Sequence, residues 1–239
     1  MTMADSVADS VADSSTELRA SRQAVALGFL GGYVDTLGFV ALFGLFTAHV
    51  TGNFVLIGSE LARPSGNSVL IKFLAFGAFV AAVAFTRLYI LSLERRGKAP
   101  LRSVFSLQLI LLIGFMLAGL AAVPLTTSDA PLALLAGAIG AAAMGVQNAA
   151  AKLLLSHLTP TTVMTGNVTQ LVIDLVDIVR GGADASVHRR CAKFLWPILA
   201  FGAGAIGGAF AYIYVGFYGL LPAIALLAWL AWGARPQPA

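Results

Sequence analysis

Six stretches of this chain, 24–46, 69–92, 103–124, 132–155, 194–215 and 217–233, are apolar for about 20 residues each, the last slightly less. At 1.5 Å per residue a helix of that length crosses the ~30 Å hydrocarbon core of a bilayer. Composition agrees: 59% of the 239 residues are hydrophobic and 11% charged, where a soluble domain is about 25% charged. The expectation is an all-α membrane protein whose first partner is the lipid bilayer.

A pentapeptide motif interrupts this pattern twice. His49-Val50-Thr51-Gly52-Asn53 and Val163-Met164-Thr165-Gly166-Asn167 lie 114 residues apart. Each follows a long apolar run and opens a short one, 53–62 and 167–179. Those short runs reach on the order of 15 to 20 Å as helices, about half a bilayer. Either eight segments span, or six span and two are re-entrant half-helices.

Positive charge discriminates, because Lys and Arg collect in cytoplasmic loops. With an inside N-terminus, eight spans put nine basic residues inside and six outside, including the cluster Arg95, Arg96, Lys98 and Arg102. Six spans put 13 of 15 inside and leave only Arg63 and Lys72 outside. The prediction is therefore about six transmembrane helices plus two short re-entrant or broken helices.

Registering the two motifs also brings Gly32-Tyr33-Val34-Asp35 against Gly145-Val146-Gln147-Asn148, and Phe76-Gly77 against Phe201-Gly202. The chain then divides into a tail at 1–22, a first membrane repeat at 23–124 and a second at 125–235. Three spans per half is an odd number, so the second half is expected to be inverted. Inverted repeats with broken helices near the midplane occur in many secondary transporters.

Several residues in this frame could carry chemistry. Thr51, Gly52 and Asn53, with Thr165, Gly166 and Asn167, suit a helix start at depth: Gly allows a sharp turn, and Thr or Asn can cap free N–H groups. Two such starts converging would offer positive dipole ends to an anion or a carboxylate; a cap merely packed against protein is the alternative. Asp35 lies about 11 residues into the first span, where an ionised carboxylate is costly unless paired or wet. It suits a proton relay or cation ligand, or else a structural hydrogen bond to a neighbouring helix. Its counterpart Asn148, beside Gln147, is polar but does not titrate.

Glu60 and Asp174 stand seven residues beyond Asn53 and Asn167, on the same helical face. They are candidates for ion coupling, but Glu60 precedes Arg63 by three and Asp177 precedes Arg180 by three, which suits interfacial ion pairs. His49 suits a pH-sensitive gate or a structural hydrogen bond. Gly204 and Gly208 have the small-xxx-small spacing of close helix packing, within the fold or in a homo-oligomer.

The tail repeats Ala-Asp-Ser-Val and is expected to be disordered; it lacks the basic start of a signal peptide. The net charge of +4 comes from loop residues that read as topology signals, so no nucleic-acid partner is expected. Cys191 alone excludes an intramolecular disulfide framework or a multi-cysteine metal site. No hydrolase, zinc-protease, phosphate-loop or dinucleotide motif occurs, so neither enzyme nor cofactor is expected.

At Gly31 to Phe39, His49 to Asn53, Met144 to Asn148 and Val163 to Asn167, the chain resembles the YoaK family of bacterial integral membrane proteins, a domain of unknown function. The resemblance covers 24–233 and implies a membrane domain of about six helices in the bacterial inner membrane, with no substrate to carry over. The functional expectation is a secondary transporter or permease of a small, anionic or carboxylate-bearing solute, with both termini cytoplasmic. The alternatives are a channel and a non-transporting scaffold or accessory protein.

Overall fold

The computed structural model describes residues 3–64, 69–162, 164–182 and 184–233, with side chains from residue 17 onward. Its helices are α1 (Met3–Ala41), α2 (Gly52–Ala62), α3 (Leu70–Glu94), α4 (Pro100–Ala122), α5 (Pro131–Leu153), α6 (Thr165–Val179), α7 (Ala185–Val215) and α8 (Leu221–Gly233). A 3-10 turn at Gly216–Leu220 joins the last two. Among the described residues there is no strand.

Among the described residues, five helical runs are long and apolar enough to cross a membrane: Glu17–Ala41, Leu70–Glu94, Pro100–Ala122, Pro131–Leu153 and Ala185–Gly233. The fifth holds 49 residues and breaks at Gly216, whose φ of 59° is a left-handed conformation that only glycine adopts at little cost. The apolar runs of the sequence divide at the same residue. Beyond the break, α8 packs on α4 and α1 rather than on α7. The two motif segments form α2 and α6, of 11 and 15 residues, about 16 and 22 Å long.

The boundaries have local causes. Pro100 and Pro131 occupy the first turns of α4 and α5, where a missing N–H costs nothing. α1 ends where Phe43 and Gly44 take φ of 54° and 74°; the Gly44 N–H turns back to the Phe39 carbonyl at 3.0 Å, a Schellman-type closure. Upstream, α1 begins at Met3 and so runs through residues for which the sequence suggests no structure.

α1 packs chiefly against α7, and α5 against α3 and α4. Glycine permits the first contact. A Cβ on Gly204 would collide with the Phe29 carbonyl, one on Gly208 with the Tyr33 carbonyl, and one on Gly32 with the Phe201 carbonyl. The small-residue spacing in α7 is therefore used inside the fold. On the α3–α5 side, a Cβ at Gly145 would stand 2.8 Å from the Phe79 carbonyl. The buried core draws Leu30 and Leu37 from α1, Phe105 and Phe115 from α4, Met144 from α5 and Phe217 from the 3-10 turn. Outward faces stay apolar, as at Leu88, Ile206, Ile213 and Trp229, which suits lipid rather than water as the surrounding medium.

Candidate functional site: two loops on one face of the first helix

Non-helical backbone precedes each short helix. Its polar groups must find partners in an apolar interior, and the two loops find them differently. In the first, residues 42–51, the carboxylate of Asp35 is the acceptor. Its Oδ1 receives the N–H of Thr47 at 2.7 Å, of Ala48 at 2.6 Å and of His49 at 3.4 Å, with the Thr47 hydroxyl at 3.3 Å. Three successive N–H groups form a concavity of the kind that binds anions, and Asp35 fills it. Asn53 closes the loop from the other end, accepting the Phe46 N–H at 3.0 Å and donating to the Phe46 carbonyl at 2.8 Å.

The second loop, 154–164, hangs on an amide. Asn148 Oδ1 accepts the Thr162 hydroxyl at 2.6 Å, while Asn148 Nδ2 donates to the Met144 carbonyl at 2.9 Å. Asn167 Nδ2 donates to the Pro160 carbonyl at 2.7 Å. Asn53 and Asn167 thus both reach seven residues back across their loops, although proline leaves Asn167 no N–H to accept. The hydroxyls of Thr159 and Thr161 are buried without a partner among the described residues.

Both loops meet α1. Gly28, Gly31, Asp35 and Gly38 recur at helical spacing and share one face. A Cβ on Gly31 would stand 2.6 Å from the Thr161 carbonyl of the second loop, and one on Gly38 would stand 2.7 Å from Thr47 of the first. From Gly31 to Asp35 is one helical turn, about 6 Å. The loops therefore stack along α1 one turn apart, with Asp35 and Thr47 on one side of the junction and Thr161 on the other.

The capping expectation for Thr-Gly-Asn is corrected. Neither Thr51 at α2 nor Met164 at α6 makes a side-chain cap hydrogen bond, because the asparagines point back into the loops instead. The N–H groups of Gly52, Asn53 and Phe54 are taken by the carbonyls of His49, Val50 and Thr51 at 2.9, 3.2 and 3.2 Å. The first turn of α2 is thereby closed. Thr51, Thr165 and Gly166 are exposed, and α2 and α6 do not touch each other.

The other singled-out residues sit apart. His49 stacks beside Phe46 with ring centroids 5.6 Å apart and packs over Gly52. Gln147 reaches away from the loops: its Nε2 donates to the Leu27 carbonyl at 3.0 Å and its Oε1 accepts Gln108 Nε2 at 2.9 Å. Asp174 is fully covered and holds Arg190 in a two-pronged pair, Nη2 to Oδ1 at 2.7 Å and Nε to Oδ2 at 3.0 Å, with Gln170 Nε2 donating at 2.8 Å. That pair joins α6 to α7. Glu60 is half-buried near the end of α2.

Sequence reasoning missed several members of these networks. Gln108, isolated in an apolar run, was a visible signal, since a lone amide in a membrane helix seeks a partner. Thr47 and Thr161 lie in loops where threonine is common and carried none. Lys72, which the charge count places in an outer loop, is 3% exposed. Its Nζ lies 3.5 Å from the Phe43 carbonyl, which the left-handed backbone there turns toward α3.

Residues 23–233 match a family described as "Protein of unknown function (DUF1275)". The chain belongs to the DUF1275 family. YoaK is a member of DUF1275, so the resemblance carried by the two motifs is to the same family. The match takes in both loops and Asp35 and leaves residues 1–22 and 234–239 outside. No curated protein and no solved structure matches this DUF1275 chain.

Proposed function

We propose that the protein is a secondary transporter of a small polar solute, with anions and carboxylates the first candidates, built from two inverted halves in the bacterial inner membrane. The observation that carries this reading is the stacking of two loops, each interrupting a helical path, one turn apart on a single face of α1. Irregular backbone at membrane depth is tolerated where it is buried in protein or lines a cavity, and transporters of this kind bind solute there.

Three features support the inverted halves. α1 packs on α7 as α5 packs on α3, so the first helix of each half lies on the third of the other. Asn53 and Asn167 make the same seven-residue return. The large outward side chains of both short helices are mostly apolar, including Val55, Leu61, Val172 and Val179, with Asp177 an exposed charge on α6, as suits re-entrant segments that face lipid over part of their length. Six spans follow if the run from Ala185 counts twice. α7 is about 46 Å long, and the 3-10 turn with α8 adds about 29 Å, close to one hydrocarbon core.

On this reading the unpartnered hydroxyls of Thr159 and Thr161 are solute ligands, and Asp35 latches the first loop rather than relaying protons. The exposed start of α6 at Thr165 and Gly166 is the helix N-terminus left to an anion. Asp174 anchors α6 to α7 through Arg190.

Topology comes first. In a Cys191→Ser background, single cysteines at Ser65 and Lys98 are labelled in intact cells with an impermeant thiol reagent; six spans expose Ser65 and protect Lys98. Proteoliposomes are then tested for counterflow of small mono- and dicarboxylates, with Thr161→Val expected to abolish the flux. Labelling of Lys98 alone, or flux no faster than in empty liposomes for every member of the panel, would sink the reading. A second reading, a non-transporting scaffold, is favoured by the commitment of Asp35 Oδ1 to four loop donors. It predicts that Thr161→Val leaves every cellular phenotype unchanged.

A further inference from the structure

α3 and α4 form an antiparallel hairpin around the turn at 95–99, yet both helices pack mainly on α5 and touch each other little. Between them lies a groove of about 460 Å³ lined by Phe85, Tyr89, Arg102, Ser103, Ser106, Leu107 and Ile110. The lining is ordered along the hairpin. Arg102 and Ser103 stand at the turn end, Ser106 about 5 Å deeper and Ile110 about 11 Å deeper on α4, with Tyr89 and then Phe85 one turn apart down the facing helix, at 1.5 Å per residue. Polar groups give way to apolar ones over the depth of one leaflet. Phe85 and Ile110, at 55% and 66% exposure, open the deep end to the surroundings.

The charge around the mouth is one-sided. From Glu94 to Arg102 there are four basic residues, Arg95, Arg96, Lys98 and Arg102, against the single acid Glu94. A guanidinium presents a donor fork that matches phosphate oxygens. Beside it, Ser106 spends its proton on the Arg102 carbonyl at 2.9 Å, so Ser103 supplies the neighbouring hydroxyl donor. Phe85 and Tyr89 stack at 6.0 Å and form a flat wall below. We propose that this groove binds one anionic phospholipid, its phosphate on Arg102 and Ser103 and an acyl chain along Phe85, Leu107 and Ile110. Net positive charge selects an anionic headgroup over a zwitterionic one, and the polar-to-apolar ordering selects a lipid over free phosphate.

Native mass spectrometry of the full chain released from detergent, titrated with dioleoylphosphatidylglycerol and with dioleoylphosphatidylethanolamine, tests this. The anionic lipid should bind at least about fivefold tighter. Arg102→Gln should erase most of that preference, Arg96→Gln off the groove should keep it, and Ile110→Trp should weaken both lipids by filling the chain path. Equal binding of the two lipids overturns the proposal, as does an unchanged preference in Arg102→Gln. Should Arg102→Gln fail to fold, unchanged phosphatidylglycerol binding in both Ser103→Ala and Ile110→Trp overturns it. Displacement of phosphatidylglycerol by millimolar glycerol 3-phosphate would assign the site to a free phosphate and overturn the lipid.

Discussion

Of the two loops that interrupt the helices, the one over 42–51 is held by a carboxylate and the one over 154–164 by an amide. Asp35 gathers three consecutive backbone N–H groups and a hydroxyl onto one oxygen. Asn148 takes a single hydroxyl, and the loop it anchors keeps two buried threonine hydroxyls unpartnered. A buried N–H with no acceptor costs about 1 to 3 kcal/mol, so three of them converging on one oxygen make a rigid loop. The second loop is tied at separate points, by Asn148, by Asn167 and by Lys193, whose Nζ donates to the His157 carbonyl at 3.0 Å, with no shared acceptor among the described residues gathering its backbone. On the proposed transport reading, that difference marks the first loop as the fixed wall and the second as the one that moves.

The sharpest way to break this comparison is to remove both anchors in turn. Asp35→Ala strands three buried donors and is expected to cost about 3 to 5 kcal/mol, seen as loss of monodisperse protein and a large drop in thermal midpoint in detergent. Asp35→Asn keeps an acceptor and should cost less than half as much. Asn148→Leu strands only the Thr162 hydroxyl, about 1 to 2 kcal/mol. If Asn148→Leu proves as damaging as Asp35→Ala, the loops are equally fixed and the contrast fails.

The asparagines at seven-residue spacing give a finer measure. Asn53 makes two bonds to Phe46 and Asn167 one to Pro160, with the Met164 sulfur at 3.2 Å. Asn53→Ala is therefore expected to destabilise by about 2 kcal/mol and Asn167→Ala by about 1. Thermal unfolding of the two variants and of the double variant reads both values; equal losses would mean that the proline makes no difference to the second loop.

A change of opposite sign is expected at Thr161. Valine has the same shape and no hydroxyl, so Thr161→Val removes a buried polar group that bonds to nothing and should raise stability by up to about 1 kcal/mol. Stability gained together with loss of solute flux would mark the hydroxyl as a ligand. Stability lost would mean that it has a partner in the folded protein, and the second loop would be as well tied as the first.

How much of this could be read from the sequence depends on which physical signal a residue carries. The apolar runs, the short helices after Thr-Gly-Asn and the break at Gly216 were legible, because hydropathy and glycine each report on local environment. Asp35 was legible as a residue needing partners, but not as the anchor of residues twelve to fourteen positions on. Pairing is a property of the fold: Gln108 with Gln147, Asp174 with Arg190 rather than Asp177 with Arg180, Lys72 with a carbonyl turned by Phe43. The capping expectation erred for a related reason. Thr-Gly-Asn offers its side chains equally to the helix ahead and the loop behind, and only the packed loop decides.

The halves differ once more where their third helices begin. Val69, the N-cap residue of α3, makes no side-chain cap hydrogen bond, whereas Asp184 caps α7 by accepting the N–H groups of Ser186 at 2.8 Å and Val187 at 3.1 Å, with the Ser186 hydroxyl at 2.6 Å. The Ser186 hydroxyl first, then the two backbone donors, hold the Asp184 carboxyl below its ordinary range. A carboxylate whose folded value is depressed stabilises the fold above its unfolded value, about pH 4, and loses that contribution as pH falls through the depressed folded one. The expected effect is small because the cap is exposed. Comparing thermal midpoints of the native chain and Asp184→Asn isolates it from the other acids: the native chain should lead at pH 7 and the gap should close toward pH 3. A gap that stays constant would mean the carboxylate's charge adds nothing to the cap. If the gap closes, the carboxylate's charge fixes the entry of α7 six residues before Arg190 reaches back to Asp174.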